Sequence, residues 1–338
     1  MKNKRYWPQV EILYALGILL VLIGHSHSSD WSTFEGTILD YVIGFIYTFH
    51  MPLFFFIAGF LLQNSEGPAQ QGYGRWVRGK AMRLLVPYLV WTFAGLLPKY
   101  YLEHRSFAGM TPQFLLRAIF VPRENIWGHF WFLPVIFLCY VLFGAVCRVM
   151  CRQRKPAAAA ASAVLSIGLY MIPWESELLG FADLKRFALY FALGMLLRAF
   201  CPDNLNSRGK TGQTLARAAI AAGLTAVAVC LWRSGAKSPL LSPAITILML
   251  AACWLAATLI PSNKATAWLS GHNFTVYLFS WFFQAAMMLV CDRLHFLWIT
   301  TFFCMFTVGL AGPILLSFVL DKIPLRKNRF FCLVFGMR

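Results

Sequence analysis

Apolar runs of about twenty residues recur along the whole chain, at roughly 8–28, 40–63, 83–102, 129–149, 157–174, 185–200, 213–232, 240–260, 273–291 and 296–320. A helix advances about 1.5 Å per residue, so each run is long enough to cross a hydrocarbon layer roughly 30 Å thick. Inside that layer no water is available to pair with backbone groups, which leaves helices or closed barrels as the spanning forms. Runs this long and continuous fit helices. The expected fold is therefore all-α: a polytopic transmembrane helix bundle with about ten spans, making one integral membrane domain over residues 1–338. Composition agrees, since 59% of the residues are hydrophobic and 13% charged, too apolar a balance for a soluble globule.

The formal charge of +17 raises nucleic acid as a partner, but the distribution of the charges argues against it. The basic residues lie in short stretches between apolar runs, where they orient a chain in a bilayer. With the N-terminus inside, 21 of the 30 lysines and arginines fall on the cytoplasmic side. Lipid is the partner that this charge pattern serves. The nine cysteines are scattered singly, with no CxxC pair and no His/Cys grouping at metal-ligand spacing; they read as small apolar residues, and no metal site is expected. The basic start "MKNKR" leads into a run without a small-residue cleavage site and reads as a retained span.

The first run, "VEILYALGILLVLIGHSHSSD", carries Glu11, Tyr14, Ile18 and His25 near one helical face. Tyr14 and His25 are eleven residues apart, about 16 Å along the axis. A carboxylate thus enters at one end of an apolar stripe and an imidazole closes the other. Buried ionisable groups are costly in a membrane and usually face a bundle interior or a wet cavity. His25 would serve as a general base near neutral pH; the alternative is a ring resting at the interface.

"FIYTFHMPLFFFIAGF", residues 45–60, sets His50 beside Pro52. Proline cannot donate a backbone hydrogen bond, so the carbonyl of Thr48 would be freed. His50 either satisfies a group freed in this way or lines a pocket with His25. In "RWVRGKAMRLLVPYLVW", Arg75, Arg78, Lys80 and Arg83 crowd the entrance of the third run. Four cations in nine residues would grip phosphates, and they are equally what positive-inside flanking requires. Glu175, Glu177 and Asp183 read as a solvated acidic loop.

Together these stretches resemble the acyltransferase-3 family of bacterial membrane proteins, most closely its fucose 4-O-acetylase-like branch. The resemblance is carried by Glu11 and His25, "FHMPLFFFIAGF", "GKAMRLLVPYLVW", "HFWFLPVIF", "RFALYFALGMLL" and "GHNFTVYLF", and it covers about residues 6–320. It implies a ten-span membrane O-acyltransferase of the bacterial inner membrane, both termini cytoplasmic. Such a protein takes an acetyl or other acyl group from cytoplasmic acetyl-CoA or acyl-CoA and passes it to a hydroxyl of an extracytoplasmic or lipid-linked sugar or polysaccharide. On this likeness the catalytic residues are His25, His50 and Glu11, and the donor is held by Arg83, Lys80, Arg78 and Tyr14. Two positions depart from the family pattern. Tyr14 stands where an arginine or lysine is usual, and Ser280 replaces a late histidine.

A membrane transporter or glycan exporter, with His25 and His50 on a polar path, is the rival from another class. Transporters more often show inverted repeats and paired broken helices, and this chain has one clear proline interruption and no repeat symmetry. A catalytically impaired accessory relative is a third reading, suggested by Tyr14 and Ser280. The charge asymmetry makes a direct prediction: reporters fused beside Lys2 and Arg338 should both lie in the cytoplasm. A C-terminal reporter found outside would contradict the ten-span topology.

Overall fold

A computed structural model describes residues 6–65, 68, 72–102, 110–150, 155–173, 175–201, 211–236 and 238–337, and every regular element among them is helical. Among the described residues six stretches are long and apolar enough to cross a membrane: Ile38–Asn64, Gly128–Val149, Thr211–Arg233, Leu241–Leu259, Lys264–Arg293 and Trp298–Asp321. Two shorter apolar helices, Pro8–Gly24 and Pro156–Met171, join them. The two other expected spans also fall on helices, Tyr73–Ala94 and Phe181–Phe200, which carry charges near their ends. The chain is a multi-pass helical membrane protein.

Two compact units divide the chain, Met1–Ile57 with Pro202–Pro324 and Ala58–Cys201 with Leu325–Arg338. In the first unit lie α1 (Pro8–Gly24), α2 (Ile38–Ile46) and the opening turns of α3 (His50–Asn64). The second unit takes the rest of α3, then α4 (Tyr73–Ala94), α5 (Leu96–Leu102), α6 (Pro112–Phe120), α7 (Phe132–Val149), α8 (Lys155–Met171) and α9 (Phe181–Phe200). The first unit resumes with α10 (Thr211–Arg233), α11 (Leu241–Leu259), α12 (Lys264–Arg293) and α13 (Trp298–Asp321), and the short α14 (Arg329–Val334) belongs to the second.

In the first unit, α12 runs along α1 and against α13, and α11 packs beside α1 and α10. The Asn263 side chain starts α12 by accepting from the backbone N–H groups of Ala265 and Thr266, each at 2.9 Å. Thr266 Oγ1 in turn accepts from the Asn263 N–H at 3.0 Å. This reciprocal cap satisfies donors that the first turn would otherwise leave open.

In the second unit, α4 pairs with α7, and α9 packs on α7 and α8. Its centre is a set of buried rings in which Phe143 stacks on Phe191 at 5.2 Å and Tyr140 meets Phe191 edge-on at 5.4 Å. The run at 83–102 is divided at Gly95 between α4 and α5, and the Trp127 ring occupies the space beside that glycine: a Cβ there would lie 1.9 Å from Trp127 Nε1. Trp91 Nε1 donates to the Val334 carbonyl at 2.8 Å and so ties α14 to α4.

Lipid tails are as apolar as the helices, so close packing rather than exclusion from water brings membrane helices together, and small residues mark the crossings. Gly59 is such a crossing: a Cβ there would lie 1.8 Å from the carbonyl oxygen of Phe191. Phe191 is itself fully buried and its backbone has nowhere to retreat. Gly59→Ala should therefore destabilise the protein by about 2–3 kcal/mol, in the range of overpacked cores. Thermal unfolding in detergent reads this directly, and an unchanged midpoint would contradict the crossing.

Candidate active site

The end of α1 carries the first expected residue. His25 caps the helix, with φ −107° and ψ 5°, and its backbone N–H reaches back to the carbonyls of Val21 and Leu22. Its half-buried ring lies 5.1 Å from Trp281 of α12 and 6.2 Å from Tyr47, centroid to centroid. Tyr47 in turn lies 5.0 Å from His50, and its hydroxyl donates to the Gly24 carbonyl at 2.7 Å. His25 and His50 therefore flank one tyrosine, and aromatic surfaces wall them. Such walls exclude water and lower the local dielectric, which strengthens any polar interaction made there.

His50 is buried, and its Nδ1 lies 3.0 Å from the Ile46 carbonyl. A carbonyl only accepts, so Nδ1 carries the proton and the lone pair of the neutral ring sits on Nε2. The expectation that His50 repairs a carbonyl freed by Pro52 is corrected by two observations. Helix α3 begins at His50, which puts Pro52 in the first turn, where a missing N–H costs little. The Thr48 carbonyl accepts instead from the Thr246 hydroxyl of α11 at 2.8 Å.

Glu11 is buried near the start of α1, fourteen residues from His25 and so about 21 Å along the axis. Its Oε1 accepts from Ser262 and Thr266 hydroxyls, each at 2.7 Å, and its Oε2 accepts from the Tyr6 hydroxyl. A carboxylate beside the N-terminus of α12 also meets the positive end of that helix. Tyr14, between the two ends, is half-buried with its ring 6.4 Å from Phe54. Glu11 and His25 thus occupy opposite ends of one helix and do not touch.

Past His25, the chain is fastened again. Ser28 and Ser29 donate to the two carboxylate oxygens of Asp292 at 2.8 and 2.7 Å. His27, in the same connecting segment, packs between Trp31 and Phe34, each ring at 5.2 Å. Burial pushes its imidazole below the ordinary value, against the opposing pull of its bond to the Ser28 carbonyl. That setting gives His27 a packing job.

In the second unit the basic cluster on α4 splits by face. Arg75, Arg78 and Arg83 are exposed, while Lys80 turns inward with its ammonium 3.6 Å from the Tyr140 ring centroid and 5.5 Å from that of Trp76. Cation–π attraction holds a cation in such a place. Asp183 is not the solvated residue expected from its loop. It is buried and accepts two parallel hydrogen bonds from Arg123, both at 2.7 Å. The Arg123 guanidinium lies 3.8 Å over the Trp131 ring. Among the described residues no group of three or more His, Cys, Asp or Glu side chains is placed to hold a metal ion.

Sequence reasoning missed Tyr47, Trp281, Gln284, Thr246 and Asp292. Tyr47 alone carried a local signal, three residues before His50. The others lie about two hundred residues or more from the partners they serve.

The sequence profile of the family described as acyltransferase domain matches residues 7–319. The nodulation protein NolL of Mesorhizobium japonicum is 28% identical over 133 residues, a stretch that covers 38% of this chain and 33% of NolL. The match thus spans about a third of that relative's length. No solved structure matches the chain.

The Arg123–Asp183 geometry gives a direct stability test. Asp183→Ala leaves Arg123 without its buried partner and should cost about 1–3 kcal/mol, less than a fully buried pair because Arg123 is half exposed. Denaturation in detergent measures this. A variant as stable as the parent would show that the pair is incidental.

Proposed function

The chain belongs to the acyltransferase-3 family, and on that premise we propose that it is an O-acetyltransferase of a bacterial inner membrane, with both termini cytoplasmic. Its donor is cytoplasmic acetyl-CoA, and its acceptor is a hydroxyl of an extracytoplasmic or lipid-linked sugar or polysaccharide. The observation that supports this reading best is an imidazole, His25, held at a helix end between Tyr47 and Trp281 within the matched acyltransferase domain.

The chemistry asked of such a ring is modest and balanced. The hydroxyl oxygen of the acceptor attacks the thioester carbonyl while His25 takes the hydroxyl proton. The carbon–sulfur bond breaks, the imidazolium returns the proton to the departing thiolate, and the products are an acetyl ester and free CoA. General-base help of this kind contributes about 10²- to 10⁴-fold in rate. His50, with its basic lone pair on Nε2, stands as the second ring of the site. Glu11 acts at a distance, holding α1 to the start of α12. Ser280, buried on α12, stands where the family pattern has a late histidine, and the proton transfer is assigned to His25.

For the donor, Arg78 and Arg83 offer exposed guanidinium groups suited to phosphates. Lys80 supports them from its aromatic cradle, and Tyr14 presents an aromatic hydroxyl where relatives place a cation.

Purified protein in lipid, radiolabelled acetyl-CoA and a glycan acceptor test the roles together. His25→Gln, which keeps size but cannot titrate near neutral pH, should lower transfer by about 10²- to 10⁴-fold. Arg78→Ala with Arg83→Ala should raise the KM for acetyl-CoA, and more salt should weaken the parent's donor binding as exposed charges are screened. A His25→Gln protein that transfers acetyl at the parent rate would overturn the assignment.

A further inference from the structure

The carbonyl of Leu22 is the hub of the turn on which His25 sits. It accepts from the His25 backbone N–H at 3.3 Å, from the Ser26 hydroxyl at 2.6 Å and from Gln284 Nε2 at 3.1 Å. The same amide nitrogen lies 3.1 Å from Ser26 Oγ. Ser26 and Gln284 are both fully buried. Gln284 also follows Trp281 on α12 by three residues, close to one helical turn, and Trp281 is the ring packed on His25. One helix therefore reaches both the imidazole and the backbone that carries it.

The orientation of the amide is fixed by chemistry. Toward a carbonyl oxygen only the NH2 end can donate, and the reversed amide would set oxygen against oxygen. This leaves Gln284 Oε1 buried with no hydrogen-bond partner among the described residues, an arrangement that is destabilising by itself. An apolar side chain of the same length would avoid that loss. Leu22 would not be orphaned either, because the Ser26 hydroxyl still donates to it. Room for the amide comes from α13: a Cβ on Gly309 would lie 2.6 Å from Gln284 Cγ. Stability does not account for a glutamine here.

We propose that Gln284 is a positioning residue for His25: by bonding Leu22 and Ser26 it sets the angle of the helix-ending turn, and so the place of the imidazole against Trp281. The proposal rests on His25 being the base. Gln284 touches neither donor nor acceptor in this scheme and acts through the backbone under His25. Misplacing a reacting group by about 1 Å can cost on the order of 10²-fold in rate without changing its chemistry.

The test compares Gln284→Met with the parent, full length and in lipid, by two readouts. Gln284→Met keeps length and fills the slot without an orphaned acceptor, so its melting temperature should equal or exceed the parent's. Its kcat for acetyl transfer should fall at least about tenfold with the KM for acetyl-CoA unchanged, the split expected when only the reacting geometry is lost. The second readout needs no reaction: carbethoxylation by diethyl pyrocarbonate, followed on the His25 peptide by mass spectrometry. A ring released from its seat should be modified about threefold or more faster, while the His272 peptide keeps its rate. Parent kcat together with the parent labelling rate at His25 would overturn the proposal. If the parent transfers no acyl group, the acyltransferase reading fails and the labelling rate alone decides the position of Gln284.

Discussion

The fastening of α1 to α12 is the constraint on which the candidate site depends. It is made at three heights along the two helices: Glu11 with Ser262 and Thr266, Leu22 and Ser26 with Gln284, and Ser28 with Ser29 on Asp292. The Gln284 bonds are fully buried, where water offers no substitute partner, while the other two fastenings are partly exposed and sit toward the helix ends. Bonds of this kind fix register better than hydrophobic packing does, because a helix sliding by one residue would break all three together. His25 lies within the second fastening, between Leu22 and Ser26. Its place is therefore set by a helix more than two hundred residues away in sequence.

Around that spine, the packing follows what a bilayer permits. Association of membrane helices rewards close approach, and glycines supply it where a large partner must pass, as at Gly59 beside Phe191 and Gly309 beside Gln284. Aromatic rings fill the remaining space: Tyr47 and Trp281 about the histidines in one unit, Phe143, Tyr140 and Phe191 in the other. Rings of this size are rigid, and they enclose polar groups without competing for their hydrogen bonds. In the second unit, the Trp131 ring under the half-exposed Arg123, with the buried Asp183 as its partner, and the Tyr140 ring under Lys80 are stable places for charge.

Much of this was legible in the sequence, and the failures have a common cause. Long apolar runs announce helices because hydrocarbon tolerates little else, and "FHMPLFFFIAGF" with the basic element after it pointed to the family. Local chemistry was read less well where a distant partner decides it. Pro52 appeared to open a helix interior, yet the turn at Tyr47–Phe49 places it in a first turn, and Thr246, almost two hundred residues on, takes the Thr48 carbonyl. Asp183 looked solvated because its partner, Arg123, lies sixty residues earlier. Glu11 and His25 share a helical face, as the spacing required, but the helix is long enough to give them separate tasks. Periodicity shows which face a residue occupies. It does not show what waits opposite.

The central claim is that this chain esterifies a sugar hydroxyl through His25. Mass spectrometry of surface and lipid-linked glycans tests it in the cell, comparing a strain that lacks the protein with the same strain carrying the parent or His25→Ala at equal membrane abundance. The account predicts one glycan species that gains the mass of a single acetyl group with the parent and lacks it in the other two strains. An acetylated glycan restored equally well by His25→Ala, or a glycan profile indifferent to the protein while transport of an unmodified glycan changes, would contradict it.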